Sequence, residues 1–504
     1  MTSSHPSLSN GSTNGRVVIV GASLAGLRAA ETLRAEGFTG QLTLIGDEPY
    51  EPYDRPPLSK AVQAGWISEE HTTLPRRREI AAEWLLGAKA AALDLSNRQV
   101  QLADGRRIAF DRLLIATGTR ARPWPDQEQA ALDGVFTLRT RDDAARLHAR
   151  LTMGPKRVLV IGGGFTGSEV ASVCRELGLP VTVTERSATP LAGALGQAAG
   201  TYAASLQRRH GVDLRCNTTV LALEGDAYKK LRRAQLSDGD ELDVEVAVVA
   251  LGTLRNTEWL QGANLAADTR GVVCDAACRA FDADGVVTDD IFVAGDVARW
   301  PHPLYDGGLL VVEHWSNAVT QAETAAHNML ASAATRRAHK HLPSFWSNQF
   351  GVNIRAIGVP TFADTIVLTQ GSPEERRLVA AYGREDRIVA AVAANAPRSL
   401  SVYQALIEAR ASFPPELHAS DEPAELHPLP AGFPKHGHAT HDPGAASTGA
   451  GPSTPEQRVE GEALKLLDPR VPLGAPPLMT QHANELGMGK RSLLQEVHTG
   501  EMRS

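Results

Sequence analysis

The sequence is poor in cysteine, in aromatic residues and in long apolar runs. Its 504 residues include 4 cysteines, and aromatic residues make up 5% of the chain. So few cysteines cannot form a disulfide framework, which favours a reducing compartment and predicts a cytoplasmic protein. No uncharged apolar stretch approaches the roughly 20 residues that a membrane-spanning helix needs, so we expect no membrane partner. Residues 1–15 have neither a basic nor an apolar region, so we expect no secretory signal.

An excess of basic residues is also lacking. The chain has 51 Lys and Arg against 58 Asp and Glu, a net charge of −7 at pH 7. Because nucleic acids and anionic membranes attract basic surfaces, this charge argues against both as partners. Hydrophobic residues make up 42% and charged residues 22%, as in ordinary globular proteins. The length predicts about three domains.

Two stretches of the chain share one order of elements: an apolar strand, a glycine turn, a helix and a second strand. Continuous apolar strands are typical of a parallel sheet that is buried on both faces. The pattern predicts an α/β protein with two Rossmann-like dinucleotide-binding domains. The predicted elements, in this order, are 16–20, 21–26, 27–35 and 41–45 in the first unit, and 157–161, 162–167, 168–177 and 181–184 in the second.

The two glycine turns are predicted to bind pyrophosphates. Glycine lets the backbone approach a phosphate closely, and the helix that follows directs free N–H groups at it. An acid at the end of the next strand, here Asp47 and Glu185, accepts hydrogen bonds from ribose hydroxyls. The turn glycines are Gly21 and Gly26 in the first copy, where Ser23 takes the middle position, and Gly162, Gly164 and Gly167 in the second.

Two acidic residues, Glu185 and Asp296, indicate which dinucleotide binds at which site. Glu185 would repel a 2′-phosphate, so the second site is predicted to prefer NADH to NADPH. Arg186 leaves the alternative open, because a basic side chain there accommodates that phosphate. Asp296, after the apolar run 291–294, accepts hydrogen bonds from a ribityl chain, although an Asp that merely caps a turn would look the same. As the third of three linked motifs it indicates flavin in the first site.

The last third of the chain changes character. Short apolar runs between 343 and 411 predict an antiparallel sheet. From residue 414 the sequence is rich in Pro, Gly, Ser and Thr and almost free of aromatic residues, so we predict a disordered tail. Seven of the 16 histidines fall there, including His436, His438 and His441, but their spacing is not that of a compact metal site, and we predict no bound metal.

With these motifs in place, the chain resembles the FAD-dependent NADH:ferredoxin reductases that serve oxygenases, the putidaredoxin reductase, rubredoxin reductase and biphenyl-dioxygenase ferredoxin reductase type. The resemblance covers residues 16 to about 413. The Arg-Pro-Pro-Leu-Ser-Lys string at 55–60 is its most specific part. The other matching strings are 17–26, 52–54, 114–118, 138–140, 162–169, 294–298, 313–318 and 346–349.

The resemblance implies roles for individual residues around FAD. Gly21, Ala25 and Gly26 would contact the pyrophosphate, with Arg55 nearby; Asp47 would bind the adenosine ribose and Ala90 the adenine. Lys60 would lie near the isoalloxazine, Trp315 over the ring and Asp296 at the ribityl chain, and Arg139 would reach FAD from the inserted domain. Thr117, Gly118 and Gly252 lie where the chain passes between domains.

It also implies the NADH site and the catalytic pair. Residues 162–167 would bind the NADH pyrophosphate and Glu185 the ribose. Glu169 would lie close to Lys60 and the nicotinamide, and Lys60 and Glu169 are the predicted catalytic residues. An ammonium beside a flavin stabilises the negative charge of the reduced ring, and a carboxylate keeps that ammonium oriented. The alternative is that both are solvated surface residues.

The expected organisation follows the family. Segments 14–121 and 252–331 form the FAD domain, 122–251 the NADH domain, 332–413 a C-terminal α+β domain and 414–504 the tail. Electrons would pass from NADH through FAD to a ferredoxin-type iron–sulfur protein that supplies a monooxygenase or a ring-hydroxylating dioxygenase. One departure concerns residues 252–256, where the usual Gly-x-x-Pro-Asn lacks its proline, which predicts a looser loop.

Four other functions share parts of this pattern. A flavin disulfide reductase needs a thiol at the flavin, but residues 50–60 contain no cysteine. A nitrite reductase module would need a cysteine cluster, which the sequence also lacks. A flavoprotein with a mainly signalling role, resembling apoptosis-inducing factor, or an NADH oxidoreductase with another acceptor, remains an alternative because a fold does not decide function.

Overall fold

The computed structural model describes residues 13–372 and 375–415. Residues 416–504 of the predicted tail, with their histidines, lie outside the described residues. The described α-helices are α1 (Leu24–Ala35), α2 (Gln127–Ala130), α3 (Arg141–Thr152), α4 (Phe165–Glu176), α5 (Ala192–Arg209), α6 (Trp315–Leu330) and α7 (Leu400–Glu408). Short 3-10 helices span Pro56–Ser59, Glu69–Thr72, Glu258–Leu260, Pro360–Phe362 and Pro397–Ser399.

The first sheet is built from two distant segments of the chain. Its central strand, Arg16–Val20, pairs in parallel with a strand on each side, so that Val20 lies opposite both Ile45 and Ile115. α1 and α6 pack on one face through small, fully buried side chains such as Ala29 and Ala325. The strand order is Arg279–Phe281, Val287–Val293, Arg112–Ile115, Arg16–Val20, Gln41–Ile45 and Glu83–Leu85.

The second sheet repeats the parallel pattern within one continuous segment. Its central strand Val158–Ile161 is fully buried, as a strand covered on both faces requires. α4 follows it directly and begins three residues before the predicted helix start. The strand order is Asp213–Cys216, Val181–Glu185, Val158–Ile161, Val246–Val249 and Val135–Phe136.

Smaller sheets, antiparallel except for the parallel pair Gly271–Val273 and Ala298–Pro301, complete the structure around these two sheets. A two-stranded ribbon of Thr119–Ala121 and Thr253–Arg255 forms where the chain leaves the first sheet and returns to it. The other small sheets are Ala90–Asp94, Gln99–Leu102 and Arg107–Ala109; Val220–Gly225, Leu231–Leu236 and Glu241–Asp243; and Ala267–Asp268, Gly271–Val273, Ala298–Pro301 and Leu309–Leu310.

The C-terminal part is the predicted antiparallel sheet, flanked by α7. Two of its three inner strands, Arg377–Arg384 and Arg387–Ala394, are almost entirely buried and rich in alanine and valine, so they pack closely. The strand order is Ser344–Gln349, Val352–Gly358, Arg387–Ala394, Arg377–Arg384 and Thr365–Ser372. The predicted fold class, two Rossmann-like units followed by an α+β unit, is confirmed.

In the part of the chain that the structure describes, no helix has the length and apolarity needed to cross a membrane.

Candidate active site

A cavity of about 1130 Å³ opens beyond the carboxyl ends of the parallel strands in the first sheet. Turns after four of these strands line it, and Glu169 of α4 and Trp346 of the C-terminal sheet supply parts of its wall. In open α/β sheets, ligands bind in the crevice at this edge. All three parts of the fold therefore meet at one site.

The first glycine turn forms the cavity floor and requires its glycines. Gly21 has φ +122°, and a Cβ there would lie 2.0 Å from the Ala116 carbonyl oxygen. A Cβ on Gly26 would lie 2.0 Å from the carbonyl oxygen of Gly21, so this glycine lets α1 pack onto the turn. Ser23, at the helix N-cap, has an extended backbone that accepts a side chain, which explains why serine replaces the middle glycine.

The second glycine turn repeats this geometry. Gly162 has φ +109°, and a Cβ on Gly167 would lie 2.0 Å from the Gly162 carbonyl oxygen. Around Gly164 there is open space. Glu185 bends back over the turn, because its carboxylate accepts hydrogen bonds from the N–H groups of Gly163 (2.8 Å) and Ser187 (2.7 Å). An acid thus lies beside the turn, as a ribose site requires.

Two arginines in the cavity lining each form an ion pair with an acidic residue. The Arg139 guanidinium, which comes from the chain just before α3, lies 2.9 Å from the Asp296 carboxylate. The Arg55 guanidinium lies 2.6 Å from Glu48 and donates to the Arg139 carbonyl oxygen at 2.8 Å. These cations reach the cavity from two separate segments of the chain and can bind an anionic ligand there.

Lys60 and Glu169 form an ion pair inside the cavity. Lys60 Nζ lies 2.9 Å from Glu169 Oε2, and the Glu169 side chain is only 6% exposed. The carboxylate also accepts hydrogen bonds from Ser59 Oγ on Oε2 (2.5 Å) and from Ser347 Oγ on Oε1 (2.6 Å). The two residues therefore do not lie on a solvated surface; their catalytic role stays a prediction.

Aromatic side chains close one end of the cavity. Trp315 donates from Nε1 to Asp54 Oδ1 at 3.0 Å, and its ring lies edge-on to Trp346 with centroids 6.4 Å apart. His314, also in the wall, stacks edge-on against Trp346 at 4.5 Å. Burial, with the nearby charges of His341 and Lys60, lowers the pKa of His314 to about 3, so this imidazole is neutral at pH 7.

None of the four cysteines lines the cavity, and all are free thiols. Cys174, Cys274 and Cys278 are buried, and burial raises the pKa of each thiol. Cys216 is partly exposed at the end of a strand in the second sheet. Because the thiolate is the reactive form, the site has no cysteine suited to disulfide chemistry.

Two family models match this chain. Residues 15–322 match the pyridine nucleotide-disulphide oxidoreductase family, and residues 344–429 match the reductase C-terminal family. The chain belongs to the pyridine nucleotide-disulphide oxidoreductase family. It is an oxidoreductase, of the group that the ferredoxin reductase resemblance indicated.

Several members of this family are similar to the chain over most of its length. The ferredoxin–NAD(+) reductase component of the biphenyl dioxygenase system of Paraburkholderia xenovorans is 34% identical, over 79% of this chain and 94% of the relative. Rhodocoxin reductase of Rhodococcus erythropolis is 34% identical, over 70% of this chain and 80% of the relative. Putidaredoxin reductase, in its covalent complex with putidaredoxin, is 30% identical with a TM-score of 0.73, over 79% of this chain and 93% of that chain.

The residues present fit the FAD and NADH that this family implies. The glycine turn and α1 N-terminus on the floor suit a pyrophosphate, and the carboxylates of Asp47 and Asp296 suit hydroxyl groups. Of the predicted site residues, those lining the cavity are Gly21, Ala25, Asp47, Arg55, Lys60, Ala90, Thr117, Gly118, Arg139, Glu169, Asp296 and Trp315. Those outside its lining are Gly26, Gly162, Gly164, Gly167, Glu185 and Gly252.

The loop that lacks the family's proline differs from expectation. Residues Thr253–Arg255 form a strand of the ribbon instead of a loose loop. Arg255, which takes the proline position, forms an ion pair with Glu313 in the cavity wall, and Thr253 Oγ1 donates to the same carboxylate at 2.6 Å. The prediction of a looser loop was therefore wrong, because side-chain bonds replace the rigidity of proline.

Sequence reasoning missed several polar residues of the site. Ser59, Ser347 and Glu48 contact the charged groups described above, and neutral His314 lies in the wall. Ser59, Ser347 and His314 fall within strings that carried the resemblance, which was the available signal. Among residues 13–372 and 375–415, no three or more His, Cys, Asp or Glu side chains are placed to hold a metal ion.

Proposed function

We propose that this chain is the reductase component of an oxygenase system, taking electrons from NADH and passing them through FAD to a ferredoxin-type iron–sulfur protein. The observation that carries this proposal is the Lys60–Glu169 pair in a cavity that has no cysteine in its lining. Relatives named as ferredoxin–NAD(+) reductase components of dioxygenase systems support it. The oxygenase that it supplies is a ring-hydroxylating dioxygenase or a monooxygenase.

The residues would divide the work as follows. The turn 21–26 and Arg55 bind the FAD pyrophosphate, Asp47 and Asp296 bind hydroxyl groups, and the turn 162–167 with Glu185 binds NADH. When bound there, FAD would supply an acceptor for a hydride and a donor of single electrons, which is the chemistry that an iron–sulfur partner requires. Glu169 holds the Lys60 ammonium at the cavity, where its positive charge stabilises negative charge that develops nearby.

The domain organisation is part of the proposal. Segments 14–121 and 252–331 would form the FAD domain around the first sheet, and 122–251 the NADH domain around the second. The two strands of the ribbon lie where these segments meet. Residues 332–413 would form the C-terminal domain. The four free thiols are compatible with the cytoplasm, which we propose as its location.

Stopped-flow reduction of the purified flavoprotein by NADH tests this function. We expect rapid bleaching of the flavin, followed by electron flow to cytochrome c only when a [2Fe–2S] ferredoxin is added. Equal flux without ferredoxin would indicate another acceptor. A long-lived charge-transfer complex without ferredoxin-dependent flux would support a signalling role instead, and bleaching by NADPH alone would contradict the assignment of NADH.

A further inference from the structure

The Glu169 carboxylate is held by groups from two other parts of the chain. Glu169 lies in the second turn of α4, and Ser59 and Lys60 approach Oε2 from the end of the 3-10 helix Pro56–Ser59. Ser347, from the first strand of the C-terminal sheet, approaches Oε1. Each carboxylate oxygen thus has its own hydroxyl donor, in addition to the ammonium on Oε2.

The hydroxyl of Ser347 is itself fixed. Its side chain is fully buried, and Ser347 Oγ accepts a hydrogen bond from Gln349 Nε2 at 3.1 Å. A serine hydroxyl has one proton, so accepting from Gln349 leaves that proton for Glu169. Gln349 is 1% exposed and lies on the same face of the strand. The Ser347 hydroxyl is therefore directed at Glu169 Oε1, and because both side chains are buried, water does not compete for this hydrogen bond.

We propose that Ser347 is a positioning residue for hydride transfer, which acts through Glu169 on Lys60; this inference rests on the proposed function. A glutamate carboxylate that accepts a hydrogen bond on one oxygen only can rotate about its Cγ–Cδ bond. With donors on both oxygens it is fixed, and so is the ammonium that it holds. The C-terminal domain thereby determines the position of the cavity's Lys60 charge, although Ser347 itself does not line the cavity.

The test compares Ser347→Ala with Ser344→Ala, each as the purified flavoprotein. Ser344 lies on the same strand, but its hydroxyl contacts Ser316 Oγ (3.0 Å) rather than Glu169. In single-turnover stopped flow, we expect S347A to lower the limiting rate of flavin reduction by about tenfold, as the loss of a hydrogen bond to a charged group does. The dissociation constant of NADH should change by less than about twofold, because the loss falls on the chemical step.

Two further measurements separate positioning from general destabilisation. The midpoint potential of the flavin should become more negative in S347A and stay unchanged in S344A, because a loosely held Lys60 stabilises reduced flavin less. In a Glu169→Gln background, which removes the charge that holds Lys60, S347A should change the reduction rate by less than about twofold.

Equal rate losses from S347A in both backgrounds, or a wild-type rate and potential in S347A, would overturn the proposal. An equal loss in S344A would also overturn it, since the effect would then belong to the strand. Failure of the proposed function is distinct: the wild-type flavin would not be reduced by NADH, or its electrons would not reach ferredoxin, whatever residue 347 is.

Discussion

At the scale of residues, single side chains determine which ligands fit the cavity and which charges line it. Lys60 is the clearest case, because its partner Glu169 is almost completely buried while the Lys60 side chain, which lines the cavity, stays 21% exposed. The pair combines a fixed anion with a cation that reaches the ligand. This arrangement is expected when the cation acts on a ligand, since a purely structural pair needs no cavity beside it.

Replacing Lys60 tests that charge directly. Lys60→Gln keeps a polar side chain of similar length, and we expect the limiting rate of flavin reduction by NADH to fall about a hundredfold, as the loss of one electrostatic donor does in other enzymes. Stopped-flow absorbance measures this rate. The exposed Lys156 provides the matched control, and Lys156→Gln should reduce at the wild-type rate. A wild-type rate in K60Q would exclude Lys60 from the reaction.

Glu185 should set the preference between the two nicotinamide cofactors. The change Glu185→Gln removes the charge that would repel a 2′-phosphate but keeps an oxygen that accepts from Gly163 N–H. We expect the ratio of kcat/KM for NADH to that for NADPH to fall about tenfold, the equivalent of roughly 1.4 kcal/mol. Arg186→Ala should move the ratio in the opposite direction. An unchanged ratio in E185Q would mean that the ribose lies elsewhere.

At the scale of elements, the two-stranded ribbon lies where the chain leaves the first sheet and where it returns to it. Two ion pairs connect this ribbon to its surroundings: Arg255 with Glu313, whose side chains are 20% and 30% exposed, and Arg120 with Glu258, at 46% and 64%. Surface pairs contribute little because water and salt screen them, so the less exposed pair should matter more.

Removing each arginine measures that difference. Arg255→Ala should lower the free energy of unfolding by about 0.5–1 kcal/mol and Arg120→Ala by less than about 0.5 kcal/mol, as expected for partly screened pairs. Urea unfolding of the two variants gives these values. A larger loss in R120A would show that exposure does not rank the two contacts.

At the scale of the whole molecule, five histidines whose pKa is lowered by burial make the fold sensitive to acid. They are His210, His302, His314, His339 and His341, and the pKa falls to about 3 for His314 and His339. The unfolded chain binds these protons near pH 6.5, so between about pH 6.5 and 3 it carries more protons than the native state. Stability therefore falls as the pH falls through this range.

Thermal unfolding at a series of pH values checks this dependence. We expect Tm to drop steadily below about pH 6.5, with each buried histidine contributing up to about 2 kcal/mol at pH 5. His339→Gln, which can keep the hydrogen bond to Asn317 Oδ1, should flatten the dependence, whereas His71→Gln at an exposed position should not. Equal slopes for H339Q and the wild type would contradict this origin of the acid sensitivity.

The sequence by itself determined the parts that depend on local pattern. The strand Arg16–Val20 and its glycine turn were predictable because a buried parallel strand is continuously apolar and the close approach of Gly21 to Ala116 excludes any side chain. The same holds for the second unit and for the antiparallel C-terminal sheet. Helix starts were less accurate: α1 begins at Leu24 rather than 27, because Gly26, the last glycine of the turn, already lies inside the helix.

Only the tertiary structure decided which distant residues share the cavity. Ser59 and Ser347 each lie more than a hundred positions from Glu169 in the sequence. No local sequence pattern indicates that both hydroxyls donate to its carboxylate. The bond from Arg255 to Glu313 likewise depends on where the ribbon meets the loop before α6. Periodicity and turn chemistry act over a few residues, whereas contacts between sheets follow from packing, which no short stretch of sequence contains.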